Sequence, residues 1–310
     1  MSPGRSMREQ FADTMVAVGQ SDPRLTVLIS DISHFILQPF ARACPGRFYN
    51  LGICEGAIVS LAAGMAKTGM FPVIHTIAPF IIERAFEQLK LDFCYQQLCG
   101  NLVTVGSAFD YANLGCSHHC YDDFALLKCL PGTRITYPAS ALEFDLLFRQ
   151  GYRGPGLTHY RLPAVAHQIA FLPSDIQLGR GIKVVEGDNL TIVATGPQLD
   201  NALAARDELG AIGWHPEIIY IHTIAPLDFD LLRASAGRTR RVLVVEEHLE
   251  RGGLGDEVLR ATRDIAGLRF ASLAIPNRFS TDYGSYAQHC ERWGFSREGI
   301  VAKVKAEFGG

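Results

Sequence analysis

Apolar runs rich in Val, Ile and Leu alternate along the chain with stretches whose apolar residues recur at helical spacing. That pattern belongs to strands followed by crossover helices in a mostly parallel sheet. The expected fold class is α/β. In the first half the runs place strands at 25–30, 48–51, 71–76, 102–107, 133–137 and 157–161, with helices at 55–67, 79–96, 122–129 and 142–149. Gly69 and Gly100 follow helices and Pro131-Gly132 marks a turn, as their backbone preferences favour. Periodicity is lost from Ala164 to Gly181, and a second alternation then begins. It predicts strands at 190–194, 217–221, 242–246 and 270–274 and helices at 199–209, 228–236, 254–264 and 297–307. The expected division is a domain over 1–165, a linker over 166–184 and a domain over 185–310, each a mostly parallel sheet flanked by helices.

Composition narrows the function classes. The 29 Lys and Arg against 32 Asp and Glu give a net charge of −3, with no run of one sign, which argues against a nucleic-acid or membrane-surface partner. Charged residues make up 20% and hydrophobic ones 48%, against about 25% charged in an average soluble protein, so association with another chain is the first suspicion. The longest apolar runs, such as Ala57 to Ala66, fall short of the ~20 residues of a membrane helix. The small polar start from Met1 to Arg8 does not read as a signal peptide. Eight cysteines scattered from Cys44 to Cys290 lack the spacing of a disulfide framework, and a reduced, cytoplasmic protein is expected.

The segment Asn50-Leu51-Gly52-Ile53-Cys54-Glu55-Gly56 runs from a strand end into a helix of small apolar residues. A carboxylate there stands at a helix N-terminus on the carboxyl edge of a parallel sheet, where α/β folds bind ligands. Read alone, Glu55 is equally an ordinary first-turn residue favoured by the helix dipole. Cys116-Ser117-His118-His119-Cys120 offers zinc ligands, but crowded into five residues with no second pair to complete a tetrahedron. Glu246-Glu247-His248, before a glycine-rich turn, is expected to serve structure or an interface, because polar groups at such an edge need partners.

Gly52-Ile53-Cys54-Glu55 with its small-residue helix resembles the pyrimidine-domain signature of the transketolase family, thiamine-diphosphate enzymes. The likeness continues in order through Thr76-Ile77-Ala78-Pro79-Phe80, Arg84-Ala85-Phe86-Glu87-Gln88 and Gly115-Cys116-Ser117-His118-His119. It reaches Ile224-Ala225-Pro226-Leu227-Asp228 and Gly252-Gly253-Leu254-Gly255 in the second block. The resemblance implies that Glu55 bonds N1′ of the cofactor's aminopyrimidine, a role that requires screening from water. It implies that Phe80 stacks on that ring, where a core Phe is the plain alternative, and that Ile77 packs beside it. His118 would face the substrate as a proton-exchanging or oxyanion-stabilising group, with His119 a further member of that wall. Arg161 and Arg8 match arginines that grip a substrate phosphate, the plain alternative being salt bridges. Leu114 stands where the family's sugar-phosphate enzymes carry an acidic residue.

The family's magnesium-binding Gly-Asp-Gly segment is missing from the sequence, and Gly187-Asp188-Asn189 lacks its second glycine. The resemblance therefore implies the C-terminal subunit of a split transketolase. Its partner would be an N-terminal subunit holding the thiamine diphosphate tail and the magnesium, in an α2β2 heterotetramer. The reaction implied is a transferase step, two-carbon ketol transfer on a small-molecule substrate. The beta subunit of a 2-oxoacid dehydrogenase shares the architecture and is the alternative enzyme; a noncatalytic scaffold subunit is the alternative of another class.

Overall fold

The computed structural model describes residues 6–309; residues 1–5, part of the polar start, and Gly310 lie outside them. The first domain comprises α1 (Met7–Ser21), β1 (Leu25–Ile29), α2 (Gln38–Ala43), β2 (Phe48–Asn50), α3 (Glu55–Lys67), β3 (Phe71–Ile77), α4 (Ala78–Ile82), α5 (Phe86–Gln88), β4 (Gly100–Val105), α6 (Asp123–Lys128), β5 (Arg134–Thr136), α7 (Ala141–Gly151) and β6 (Leu157–Leu162). The second comprises β7 (Ile182–Val185), β8 (Leu190–Ala194), α8 (Gln198–Ala211), β9 (Pro216–Tyr220), β10 (Thr223–Ala225), α9 (Phe229–Thr239), β11 (Arg241–Leu249), α10 (Leu254–Thr262), β12 (Arg269–Ile275), α11 (Tyr286–Trp293) and α12 (Arg297–Phe308).

The expected α/β class with two mostly parallel sheets is what the chain adopts. The first sheet has seven strands in the order β10-β5-β6-β4-β3-β1-β2 and the second five in the order β12-β11-β8-β9-β7. Only the edge strands β10 and β7 run antiparallel. Strands β1, β4 and β6 are buried along their whole length, because helices cover both faces, which is why they read as unbroken apolar runs.

Three differences from the sequence expectation stand out. Helix α1 opens with a reciprocal cap, Ser6 N donating to Glu9 Oε2 at 2.9 Å and Glu9 N to Ser6 Oγ at 3.3 Å, and packs Phe11, Met15 and Val18 inward. The single helix expected over 79–96 is instead α4, a turn, α5 and a wide π-helical turn, Leu89–Cys94; apolar spacing cannot tell one helix from short segments in line. β7 begins inside the expected linker, and β10, though in the second block, pairs with β5 of the first sheet through Thr223 and Thr136. The two domains thus share a sheet edge. No described helix is long and apolar enough to cross a membrane, and all eight cysteines are free.

Candidate active site

In the first sheet, β1 lies between β2 and β3, so the order of strands reverses there and opens a crevice at the carboxyl ends, where ligands bind in such sheets. Ser30 directly follows β1, Glu55 opens α3 after β2, Phe80 sits in α4 after β3, and His118 lies in the loop after β4. Four neighbouring strands deliver these side chains to one edge.

Glu55 is 2% exposed. Its Oε1 accepts from the Ser30 hydroxyl at 2.9 Å, and its Oε2 accepts from Arg84 Nη1 at 3.0 Å. The same guanidinium lies over the Phe80 ring, 4.5 Å from its centroid. His118, half-buried, meets Phe80 edge-on at 5.0 Å between centroids, and its Nδ1 pairs with the Ser117 hydroxyl at 3.0 Å. Ile77, half-buried, ends β3 beside them. Glu55, Phe80, Ile77 and His118 are therefore neighbours at one edge, as the sequence reading expected of their placement.

Arg8 belongs to an adjoining cavity of about 520 Å³ lined also by Asp31, Ser33, His34 and Asn50. Arg8 donates to Ser33 Oγ through Nε at 3.2 Å and Nη2 at 2.9 Å, and Ser33 Oγ stands 2.8 Å from His75 Nε2. His75 Nδ1 lies 2.7 Å from the Val103 carbonyl, which can only accept, so Nδ1 carries the proton and Nε2 accepts from Ser33. Burial, with the Arg8 charge, pushes His75 down to about 3, so it is neutral near pH 7. Asp31 and Ser33 hold φ of 65° and 64°, left-handed values uncommon outside glycine, in the loop that shapes this cavity. Asn50 steadies it, accepting from Asp31 N at 3.2 Å and from Gly52 N at 3.1 Å.

Two expected substrate residues stand elsewhere. Arg161 is fully buried, 3.4 Å from the equally buried Asp123, and its guanidinium lies between the rings of Phe124 and Tyr137 at 4.7 and 4.5 Å. Its Nη2 donates to the Cys120 carbonyl at 2.8 Å. With no solvent face and its charge already met, it offers a substrate phosphate no approach. Burial raises Asp123 to about 6 although Arg161 opposes this. His119 is 3% exposed and turns inward among Phe109, Tyr121 and His289; burial holds it down to about 4. Adjacent residues of an extended loop point opposite ways, so one histidine faces the cleft and its neighbour the domain contact. The zinc arrangement dissolves for the same reason: Cys116 is exposed while Cys120 is buried. Among the described residues no group of three or more His, Cys, Asp or Glu could hold a metal ion.

Glu246, Glu247 and His248 have the structural role expected of them. Glu246 accepts from Leu254 N and Gly255 N at 2.6 and 2.7 Å, capping α10, and burial raises it to about 7. Glu247 accepts from Gln198 at 2.6 Å, and His248 stacks on Phe124 of the first domain at 5.2 Å. Sequence reasoning missed Ser30, Ser33, His75 and the part played by Arg84. The last was within reach, since four positions after Phe80 is the spacing of neighbours on a helix face.

The sequence matches two family models, the transketolase pyrimidine-binding domain over residues 4–163 and the transketolase C-terminal domain over residues 179–300. One of the two subunits of an apulose-4-phosphate transketolase from Phocaeicola vulgatus is 28% identical over 97% of this chain and 96% of its own. A 1-deoxy-D-xylulose-5-phosphate synthase of Syntrophotalea carbinolica is 30% identical over 95% of this chain and 47% of its own, so the chain spans about half the length of that relative. Among solved structures, a split gene transketolase described as an inactive beta4 tetramer superposes with a TM-score of 0.87 and 29% identity over 99% of both chains.

Proposed function

The chain belongs to the transketolase family, and from that premise we propose that it supplies the aminopyrimidine side of a thiamine-diphosphate site to a partner subunit, for two-carbon ketol transfer. The observation that carries this reading is the Glu55 carboxylate, shielded from water and held at a helix N-terminus with Phe80 beside it. The fit to the cofactor is supported by what Arg84 does there: a flat cation donates N–H to Glu55 while lying on Phe80, the two contacts a protonated aminopyrimidine would make. When bound, thiamine diphosphate supplies a carbanion that accepts and delivers the two-carbon unit.

The chain's own residues divide the remaining work. Glu55 holds and shares a proton at the ring nitrogen, with Ser30 fixing the carboxylate so that one oxygen is oriented. Phe80 and Ile77 hold the plane of the ring. His118, at the cleft and next to Phe80, exchanges a proton with a substrate hydroxyl or steadies a developing oxyanion. Arg8, aligned by Ser33 and lining the adjoining cavity, receives the anionic end of the substrate. A sugar phosphate fits that arrangement, and the Phocaeicola and Syntrophotalea relatives both carry a sugar phosphate in their names. Magnesium and the diphosphate would be held by the partner chain.

The test is reconstitution. The purified chain with thiamine diphosphate and magnesium is expected to leave a ketose phosphate donor intact. Co-purified with a subunit carrying Gly-Asp-Gly and a downstream Asn, it is expected to form an α2β2 particle that transfers the two-carbon unit. Turnover by the chain alone overturns the proposal.

A further inference from the structure

We propose that Arg84 occupies the place of the aminopyrimidine in the unpartnered chain and must leave before the ring can bind. The inference rests on the cofactor reading above and goes one step past it, to what fills that place beforehand. Glu55 presents two carboxylate oxygens. Oε1 is engaged by the Ser30 hydroxyl at 2.9 Å, and Oε2 by Arg84 Nη1 at 3.0 Å. Arg84 also sets its guanidinium 4.5 Å from the centroid of Phe80, within the range of a stacked cation. A guanidinium is planar, cationic and rich in N–H donors. It therefore satisfies both halves of a receptor for a flat ring that donates N–H: the carboxylate and the aromatic wall. A second flat group cannot take the same oxygen and the same ring while Arg84 remains.

The local fold lets Arg84 move. It lies in the turn between α4 and α5, and its side chain is 52% exposed while Glu55 is 2% exposed. Departure exposes a cation to water, where it is readily solvated, and a half-exposed pair is weakly held. An empty, unpaired Glu55 would be a buried charge without its partner. Arg84 thus protects the free chain and yields to a ligand that replaces both contacts. In such a scheme the apparent affinity falls by the fraction of molecules in which the place is open, and removing the occupant restores it.

The experiment titrates the full chain with 4-amino-5-hydroxymethyl-2-methylpyrimidine, the aminopyrimidine half of thiamine, by calorimetry. The side-chain Nε–H resonance of Arg84 is followed in parallel by nitrogen NMR. Arg84→Gln is expected to bind the fragment about tenfold more tightly than the wild type, and the wild-type Arg84 resonance to shift towards that of a free arginine as the fragment saturates. Equal affinity in both proteins with an unmoved resonance overturns the inference and leaves the cofactor reading standing. Weaker binding by Arg84→Gln also overturns it, because Arg84 would then be a contact of the bound ring. If neither protein binds at millimolar fragment, both the cofactor reading and this inference fall. Should Arg84→Gln not fold, the wild-type resonance alone decides.

Discussion

The hydroxyl of Ser30, at the end of β1, donates to Oε1 of Glu55, at the start of α3, across 2.9 Å. That bond fixes the carboxylate from one strand while the helix brings it from the next. Glu55→Gln keeps the shape and an acceptor for Ser30 but removes the acid. In the reconstituted enzyme kcat is expected to fall by roughly 10²–10⁴, the usual contribution of a positioned acid–base group, with the melting temperature little changed. A variant within tenfold of wild type would mean a noncatalytic scaffold. Ser30→Ala is expected to reduce stability by about 1 kcal/mol, the cost of a buried acceptor left without its donor, as read by chemical denaturation.

Arg161 and Asp123 are a buried pair between the domains rather than a phosphate grip. Arg161→Met is therefore expected to destabilise the chain by about 3–5 kcal/mol, because Asp123 is left as an uncompensated buried charge. The double variant with Asp123→Leu should recover much of that loss. Urea unfolding of the three proteins checks it. A stable Arg161→Met whose sole defect is a raised KM for a phosphorylated substrate would restore the role expected from sequence.

What could be read in the sequence was what depends on near neighbours. Strands β1, β3, β4 and β8 declare themselves because covered parallel strands are apolar throughout, and the burial of Glu55 followed from the chemistry asked of it. Helix α1 hid because Gln10 and Thr14 are buried polar residues on its inner face, with Thr14 donating to Asp145 at 2.7 Å, so the apolar period is broken. β7 and β10 are edge strands whose pairing is with distant residues. The fate of Arg161 could not be read because an arginine answers a phosphate and an aspartate with the same donors, and its partner Asp123 is remote in the sequence.

Gly115 holds φ 78° and ψ −164°, a conformation essentially confined to glycine, and a Cβ there would come 2.7 Å from a ring carbon of Tyr283 on the second domain. The turn carrying His118 starts at this residue. Gly115→Ala is expected to cost about 1–3 kcal/mol and to displace His118, lowering kcat in the reconstituted enzyme. Adding Tyr283→Ala relieves the collision but not the backbone strain, so it should recover stability only in part. Full recovery would show that crowding alone selects glycine.

His159 shows how burial ties stability to pH. It is fully buried on β6, with Nε2 2.8 Å from the Thr104 hydroxyl, and burial reinforced by the Arg161 charge lowers it from 6.5 to about 3. The unfolded chain therefore takes up this proton first as pH falls below 6.5, and the folded state loses stability until pH approaches 3; above 6.5 the contribution is complete. Between pH 7 and pH 5.5 that amounts to about 1 kcal/mol from this one residue. His75 and His248, both lowered to about 3 by burial, act in the same direction. Glu246 and Glu83, raised to about 7 by burial, act in the opposite one, because their folded forms favour the proton. The whole-protein curve mixes these signs, so the decisive measurement is a difference. His159→Gln is expected to be less stable than wild type at pH 7, and its deficit should shrink by about 1 kcal/mol at pH 5.5. Denaturation curves that stay parallel across that interval would mean the imidazole titrates alike in the folded and unfolded chain.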